Sequence, residues 1–304
     1  MIYDDYRFRV PAEKQVRVIT DTDAKNEADD QFCVVQMLLS PKLDNVGMIA
    51  AHFGKRASDA VEQSYRELET IFDLMGFDKS GMLYKGAPCA LKSPGEPVDS
   101  EGARLIIREA MKDDPRPLFV TFLGPLTDLA SALLIEPRIA SRLTAIWIGG
   151  APYPHGGAEF NMGNDIHAAN VVFSSKVALW QVPKNVYEMM AVSLAELEYR
   201  VRPCGRIGEY LCDQLDEHAQ QPGPRKSDFR TGESWVLGDS PAVGLILYEH
   251  RFEFDWVQAP MITAEGAYVP DVRNRPIRVY RRVDSRLILE DFYAKLALFA
   301  QKRG

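Results

Sequence analysis

Four aspartates, Asp21, Asp23, Asp29 and Asp30, fall within ten consecutive residues, with Glu27 among them. They follow the β-branched run Val16–Thr20, which reads as a strand, and Asp30 opens an amphipathic stretch through Leu39 that reads as a helix. The carboxylates therefore gather where a strand hands over to a helix, the edge at which parallel α/β sheets bind ligands. Like charges this close repel one another, and a bound hard cation is the simplest offset. The chemistry indicated is metal-dependent.

Other strand ends offer complementary groups. The apolar run 117–123 leads into Gly124-Pro125-Leu126-Thr127-Asp128. Glycine there lets backbone approach a ligand, and a free carbonyl at such a turn suits a hard cation. A plain strand-to-helix turn is the blander reading. After Leu143–Ile148 come Gly149-Gly150, a short loop and Glu159-Phe160-Asn161. Glu159 and Asn161 carry donors and acceptors suited to sugar hydroxyls, whereas Asp165 reads as a helix N-cap. Asp239, in Gly238-Asp239-Ser240-Pro241, taken alone also reads first as an N-cap for a helix opening at Pro241. No histidine has metal-ligand spacing, and a structural or surface role is the default for each. His52, after the second strand, and His155, before Glu159, are the two placed to reach a pocket. Trp235 either stacks on a flat ligand or packs in the core; Trp147 reads as core.

The elements that must position these groups alternate along the chain. Apolar strands are expected at 45–52, 82–84, 117–123, 143–148 and 178–182, with helices between them. Such alternation indicates an α/β fold with an open, mostly parallel central sheet covered on both faces. Beyond Pro203 the pattern turns helical, with late edge strands at 254–257 and 277–282 and a closing helix from Ser285. One domain is expected over residues 1–304, with an α/β core at 15–200 and a helical and edge-strand portion at 201–304. The polar stretch 220–231 is a loop by composition, either a flap over the site or solvated surface.

Composition narrows the function classes. The chain of 304 residues carries a formal charge of −7 and no basic cluster, which disfavours nucleic acid and anionic membranes as partners. The N-terminus lacks the pattern of a signal peptide, and no apolar run is long enough for a membrane span. Cys33, Cys89, Cys204 and Cys212 are scattered, as expected of free thiols in a reduced cytoplasm.

Taken together, Asp21-Thr22-Asp23…Asp29-Asp30, Gly124-Pro125-Leu126-Thr127, Gly149-Gly150…Glu159-Phe160-Asn161…Asp165 and Gly238-Asp239-Ser240-Pro241 resemble the ordered motifs of the nucleoside hydrolase family. The order and approximate spacing agree over roughly residues 15 to 250. The resemblance implies a Ca2+-dependent hydrolase that cleaves the N-glycosidic bond of ribonucleosides to base and ribose. It implies Ca2+ ligands at Asp23, Asp30, the Thr127 carbonyl and Asp239, with Asp23 also the base that activates a water held by the ion. Asp29, Glu159, Asn161 and Asp239 would bind the ribose, and Asp21 would orient its neighbours. A small-molecule nucleoside is then the partner, and dimers or tetramers are common in the family.

The chain also departs from the family. A longer spacer, Ala24-Lys25-Asn26-Glu27-Ala28, separates Asp23 from Asp29; if it loops outward, Asn26 and Glu27 join the pocket wall. Gly238 stands where a histidine often protonates the leaving base, and Lys55 stands where an asparagine is expected. Trp235, His155, Lys55 and His52 are the remaining candidates for leaving-group or pocket roles. A catalytically altered, ribose-binding relative on the same scaffold is the alternative. A haloacid-dehalogenase-like phosphatase, suggested by Asp21-x-Asp23, leaves Asp29-Asp30 and Glu159-Phe160-Asn161 without a role.

Overall fold

Strand β1 (Val16–Thr22) is buried along its whole length, as its β-branched residues require of a strand covered on both faces. Val18 faces one hydrophobic layer and Ile19 the other, following the two-residue period of a strand. In the computed structural model, which describes residues 3, 5–220, 232–248 and 250–303, β1 lies inside an eight-stranded sheet. The other strands are β2 (Leu43–Ala50), β3 (Leu83–Lys85), β4 (Leu118–Phe122), β5 (Thr144–Ile148), β6 (Ala178–Val182), β7 (Ala191–Ser193), β8 (Ser234–Val236), β9 (Glu253–Gln258), β10 (Met261–Ile262), β11 (Tyr268–Val269) and β12 (Pro276–Arg282). The sheet order is β3-β2-β1-β4-β5-β6-β12-β9, parallel except for the antiparallel edge strand β9. β7 pairs with β8 and β10 with β11 in two small ribbons.

The chain runs outward from β1 through β2 to β3, then returns to β4 on the other side of β1 and continues through β5 to β6. The order therefore reverses between β1 and β4. Helices on either side of such a reversal diverge and leave a crevice beyond the carboxyl ends of the two strands. Helix α1 (Asp30–Leu38) and the helix Ala60–Met75 pack on the layer that holds Val18; the helices Glu101–Met111, Thr127–Ile135 and Ile166–Ser174 pack on the layer that holds Ile19. The crevice opens where Thr22 ends β1 and Phe122 ends β4.

Some expectations shift. Residues 277–282 were expected at an edge, but β12 lies between β6 and β9, with Ile277, Val279 and Tyr280 buried. The helix after the turn Gly124-Pro125-Leu126 starts at Thr127, two residues beyond the proline. A separate short helix, Phe160–Asn164, precedes the expected helix at Ile166 because Glu159 caps it through the Asn161 and Met162 N–H groups. The stretch 220–231, expected to be a loop, falls beyond Gln220 outside the described residues. Among the described residues, no helix is long and apolar enough to cross a membrane.

Candidate active site

The crevice at the reversal is a narrow cleft walled by Asp23, Asp29, Asp30 and Asp239, with Asn161 and Tyr187 among the residues facing them. The aspartates arrive from three stretches of chain: Asp23 after β1, Asp29 and Asp30 at the start of α1, and Asp239 ahead of the helix Pro241–Leu247. Asp23 follows β1 directly. The spacer after it folds back as a turn, with the Asn26 N–H donating to the Asp23 carbonyl at 2.8 Å. Gln31 on α1 donates to the Ala24 carbonyl, and Lys25 pairs with the buried Glu67 of the helix Ala60–Met75 at 2.9 Å. Thus anchored, the spacer projects Lys25 outward while Asn26 and Glu27 line the cleft. The longer spacer does not separate Asp29 and Asp30 from the cleft that Asp23 lines.

Carboxylate oxygens of Asp29, Asp30 and Asp239 lie within 4.8 Å of one another. Asp30 accepts a short hydrogen bond from the Thr22 hydroxyl at the end of β1. Asp239 is buried and is not the N-cap of the helix Pro241–Leu247, a position held by Ser240. Burial and the neighbouring charges push these acids up. Asp29 rises to about 8 through burial and the charge of Asp30, opposed by the backbone N–H groups of Gly238 and Asp239. Asp30 rises to about 7, chiefly through burial, with Thr22 opposing. Asp23 is raised by burial and by Asp30, Glu27 and Asp29, and Asp239 by burial, Asp29 and Asp30. One oxygen of Asp23, Oδ2, is buried with no hydrogen-bond partner. Gly124 makes this packing possible, since a Cβ there would stand 3.0 Å from the Asp23 carboxyl carbon.

Hard oxygen donors, mutual repulsion and an orphaned buried carboxylate oxygen are the features that a divalent hard cation would satisfy. Zinc would call for nitrogen or sulfur ligands, and none lines the cleft among the described residues. The donor set fits Ca2+.

The opposite wall is built differently. Glu159 Oε2 accepts from the N–H groups of Gly150 at 2.7 Å and Met162 at 2.9 Å, and Oε1 from the Asn161 N–H at 3.1 Å and the Tyr187 hydroxyl at 3.0 Å. A carboxylate offers about four acceptor sites, so these four donors saturate it. Asn161 spends its Nδ2 on the carbonyls of Leu123 at 2.6 Å and Ile148 at 2.9 Å, the exits of β4 and β5. That tether fixes which face of the Asn161 amide lines the cleft.

The remaining candidates separate into those at the cleft and those away from it. Asp21 is fully buried behind Asp23, raised by burial and by Asp128, and neither carboxylate oxygen has a hydrogen-bond partner. Thr127 does not line the cleft. Its hydroxyl donates to Asp165 at 2.8 Å and meets His52 Nε2 at 2.9 Å, while Asp165 also caps its own helix through the Ala168 N–H. The main-chain residue that does line the cleft at the end of β4 is Leu123. His52 is held behind the wall, its Nδ1 accepting from the Gly54 N–H at 3.1 Å. His155 and Lys55 are exposed and do not line the cleft. Trp235 is buried, with its ring edge-on to His218, and does not line it either.

Tyr187 is a cleft residue that sequence reasoning missed. A Cβ placed on Gly238 would stand 3.3 Å from both Asp29 Oδ2 and the Tyr187 ring. The tyrosine packs against the position where a side chain at 238 would begin. It belongs to no motif; the paired signal was a glycine at 238 and an unassigned aromatic after β6.

Comparison with known proteins agrees with this architecture. Residues 18–290 match the family model described as inosine-uridine preferring nucleoside hydrolase. A probable uridine nucleosidase 2 of Arabidopsis thaliana is 24% identical over 227 residues, 66% of this chain and 69% of that one. An inosine-uridine preferring nucleoside hydrolase of Crithidia fasciculata is 35% identical over 109 residues, 34% of this chain and 33% of that one. Among solved structures, a purine-preferring ribonucleoside hydrolase from Gardnerella vaginalis superposes with a TM-score of 0.78 at 19% identity, covering 94% of this chain and 99% of that one.

Proposed function

The chain belongs to the inosine-uridine preferring nucleoside hydrolase family, N-glycosyl hydrolases that cleave ribonucleosides to base and ribose, and we propose that it does so with Ca2+ held by the β1 carboxylate cluster. The observation that carries this reading is the buried, unpartnered Asp23 Oδ2 beside the converged carboxylates of Asp29, Asp30 and Asp239. Asp23, Asp30, Asp239 and the Leu123 carbonyl would hold the ion. Leu123 takes the place expected of Thr127 because Leu123 lines the cleft and its carbonyl is already engaged there by Asn161. Bound in this cluster, Ca2+ would offset the carboxylate charge and orient ribose hydroxyls and the attacking water.

The protein's own groups supply the remaining steps. Asp23 takes a proton from the water as its oxygen attacks C1′. Asp29 and the Asn161 amide oxygen accept from ribose hydroxyls and hold the ring. The surrounding negative charge favours the oxocarbenium-like transition state, in which the sugar carries positive charge. Glu159, saturated by four donors, holds the start of the helix Phe160–Asn164 and the Tyr187 hydroxyl, so it positions Asn161. A sugar hydroxyl could reach Glu159 only by displacing Tyr187. The working unit is residues 1–304 as one domain, a reading supported by β12, which docks the C-terminal part onto β6. The described cysteines are all free, which supports a cytoplasmic setting.

Purified protein with Ca2+ should release reducing sugar from at least one member of a ribonucleoside panel, and Asp23→Asn should abolish the release. Tight ribose binding without turnover would instead mark a binding protein on this scaffold.

A further inference from the structure

A second cavity, of about 330 Å³, adjoins the carboxylate cleft and shares Asn26 and Glu27 with it as a common wall. Behind that wall its lining includes Lys25, Phe53, Arg56, Gln214, Glu217 and His218. The deep end of the cleft is closed by buried Ile148, Gly238 and Asp239, whereas Glu27, Asp29, Phe160 and Asn161 are partly exposed. With Asp29 and Asn161 taken up by the sugar hydroxyls, the open side left for its substituent is the one walled by Glu27 and Phe160, with Asn26 beside them.

Arg56 stands at that passage. Its guanidinium lies 3.7 Å from the centre of the Phe160 ring and donates a short hydrogen bond to the Asn26 side-chain carbonyl. Phe160 and Asn26 both line the sugar cleft, so the cation is fixed from two sides at the junction of the cavities. The ring face and the amide restrict a side chain that would otherwise sample many rotamers. Gly238 offers no acid on this path, and the Tyr187 hydroxyl is committed to Glu159.

We propose that Arg56 is a catalytic residue of the leaving-group subsite, and that the adjoining cavity receives bases able to depart as anions, such as a pyrimidine-2,4-dione. The inference rests on the hydrolase reading above. As the C1′–N bond breaks, its electron pair goes to the base nitrogen, while the water oxygen bonds to C1′ and its proton goes to Asp23. The anionic base is stabilised by the guanidinium, which holds its own proton at any working pH, and is protonated by solvent after release. Such a device helps acidic leaving groups and does little for a purine that must be protonated on its ring.

The test compares uridine, inosine and p-nitrophenyl β-D-ribofuranoside on the wild type, Arg56→Ala and Arg56→Lys, all with Ca2+. Wild-type turnover of the nitrophenyl riboside tests the hydrolase reading by itself, because that leaving group needs no assistance. Absence of turnover on all three substrates sinks both the reading and the inference. Given turnover, Arg56→Ala should lower kcat/KM for uridine by about 100-fold, the scale of losing one transition-state charge contact. The nitrophenyl riboside should lose less than about 3-fold by the same reasoning, and Arg56→Lys should recover part of the uridine loss. Equal losses on uridine and the nitrophenyl riboside, or no loss on either, would overturn the role of Arg56. Ribose affinity measured on Arg56→Ala separates a damaged sugar site, which would also overturn it, from a lost leaving-group contact.

Discussion

Two sets of carboxylates line one edge of the sheet, and they differ in whether the fold itself satisfies them. Glu159 receives four protein donors, and Asp165 receives the Leu91 and Ala168 N–H groups and the Thr127 hydroxyl. Across the cleft, the Asp23, Asp29, Asp30 and Asp239 carboxyls crowd one another, are pushed toward protonation, and leave Asp23 Oδ2 unpaired. Apart from the partly exposed Asp29, burial is alike in the two sets; the supply of donors is not. A satisfied buried acid is a building element, and an unsatisfied cluster stores a demand that a ligand must meet.

The largest way to break this contrast is Asp23→Asn. It should lower ribose release by at least about 1,000-fold, since a general base is removed. The same change should leave the metal-free protein as stable as wild type or more so, because it removes one of the repelling charges; calorimetry in chelator reads this. Glu159→Gln should behave in the opposite sense. An amide nitrogen replacing either oxygen would confront donors already aimed at it, which should cost about 2 kcal/mol of stability with or without Ca2+. A chelator melt of Glu159→Gln equal to that of wild type would erase the distinction.

A pH titration sharpens it further. In chelator, the folded protein holds protons on Asp29 and Asp30 at pH values where the unfolded chain has lost them, with Asp29 up to about 8 and Asp30 to about 7. Stability should then be greatest on the acid side and fall as pH rises from roughly 4, the ordinary carboxylate value, through that range. Saturating Ca2+ should flatten or invert this slope by replacing the protons, and an identical slope with and without the ion would count against the cluster as its site. The smallest effects belong to exposed positions that line neither cavity. His155→Ala and Lys55→Ala should change kcat/KM by less than about 2-fold and stability by no more than about 0.5 kcal/mol. A large loss at either would move the leaving-group end away from Arg56.

Much of this was legible in the sequence where a physical period or a capping pattern carried the signal. The fully buried strands read as apolar runs, 178–182 coincides with β6, and Asp165 caps its helix as its position ahead of that helix implied. The cluster of acids after β1 was visible from spacing alone. What was not visible depended on where side chains point after folding. Trp235 sits near Asp239 in the chain, yet β8 turns it into the core. His52 follows β2 as expected but turns back to Thr127. Thr127 belongs to the glycine motif, but the helix that begins there leaves the cleft to Leu123. Tyr187 and Arg56 lie in no motif, because Tyr187 is held at the cleft by a hydrogen bond to Glu159 and Arg56 beside it by a ring contact and a hydrogen bond, rather than by a repeat or spacing. The longer spacer read as an irregularity; its tether to Glu67 through Lys25 explains how it loops outward without displacing Asp29 and Asp30.

The most direct test is calorimetric titration of Ca2+ into metal-stripped protein, wild type and Asp30→Asn, with ribose release from a ribonucleoside followed on the same samples. One tightly bound ion per wild-type chain, restored activity on its addition, and loss of both in Asp30→Asn is the predicted result. Full activity in excess chelator, or Ca2+ binding undiminished in Asp30→Asn, would contradict a catalytic ion held by the unsatisfied carboxylates.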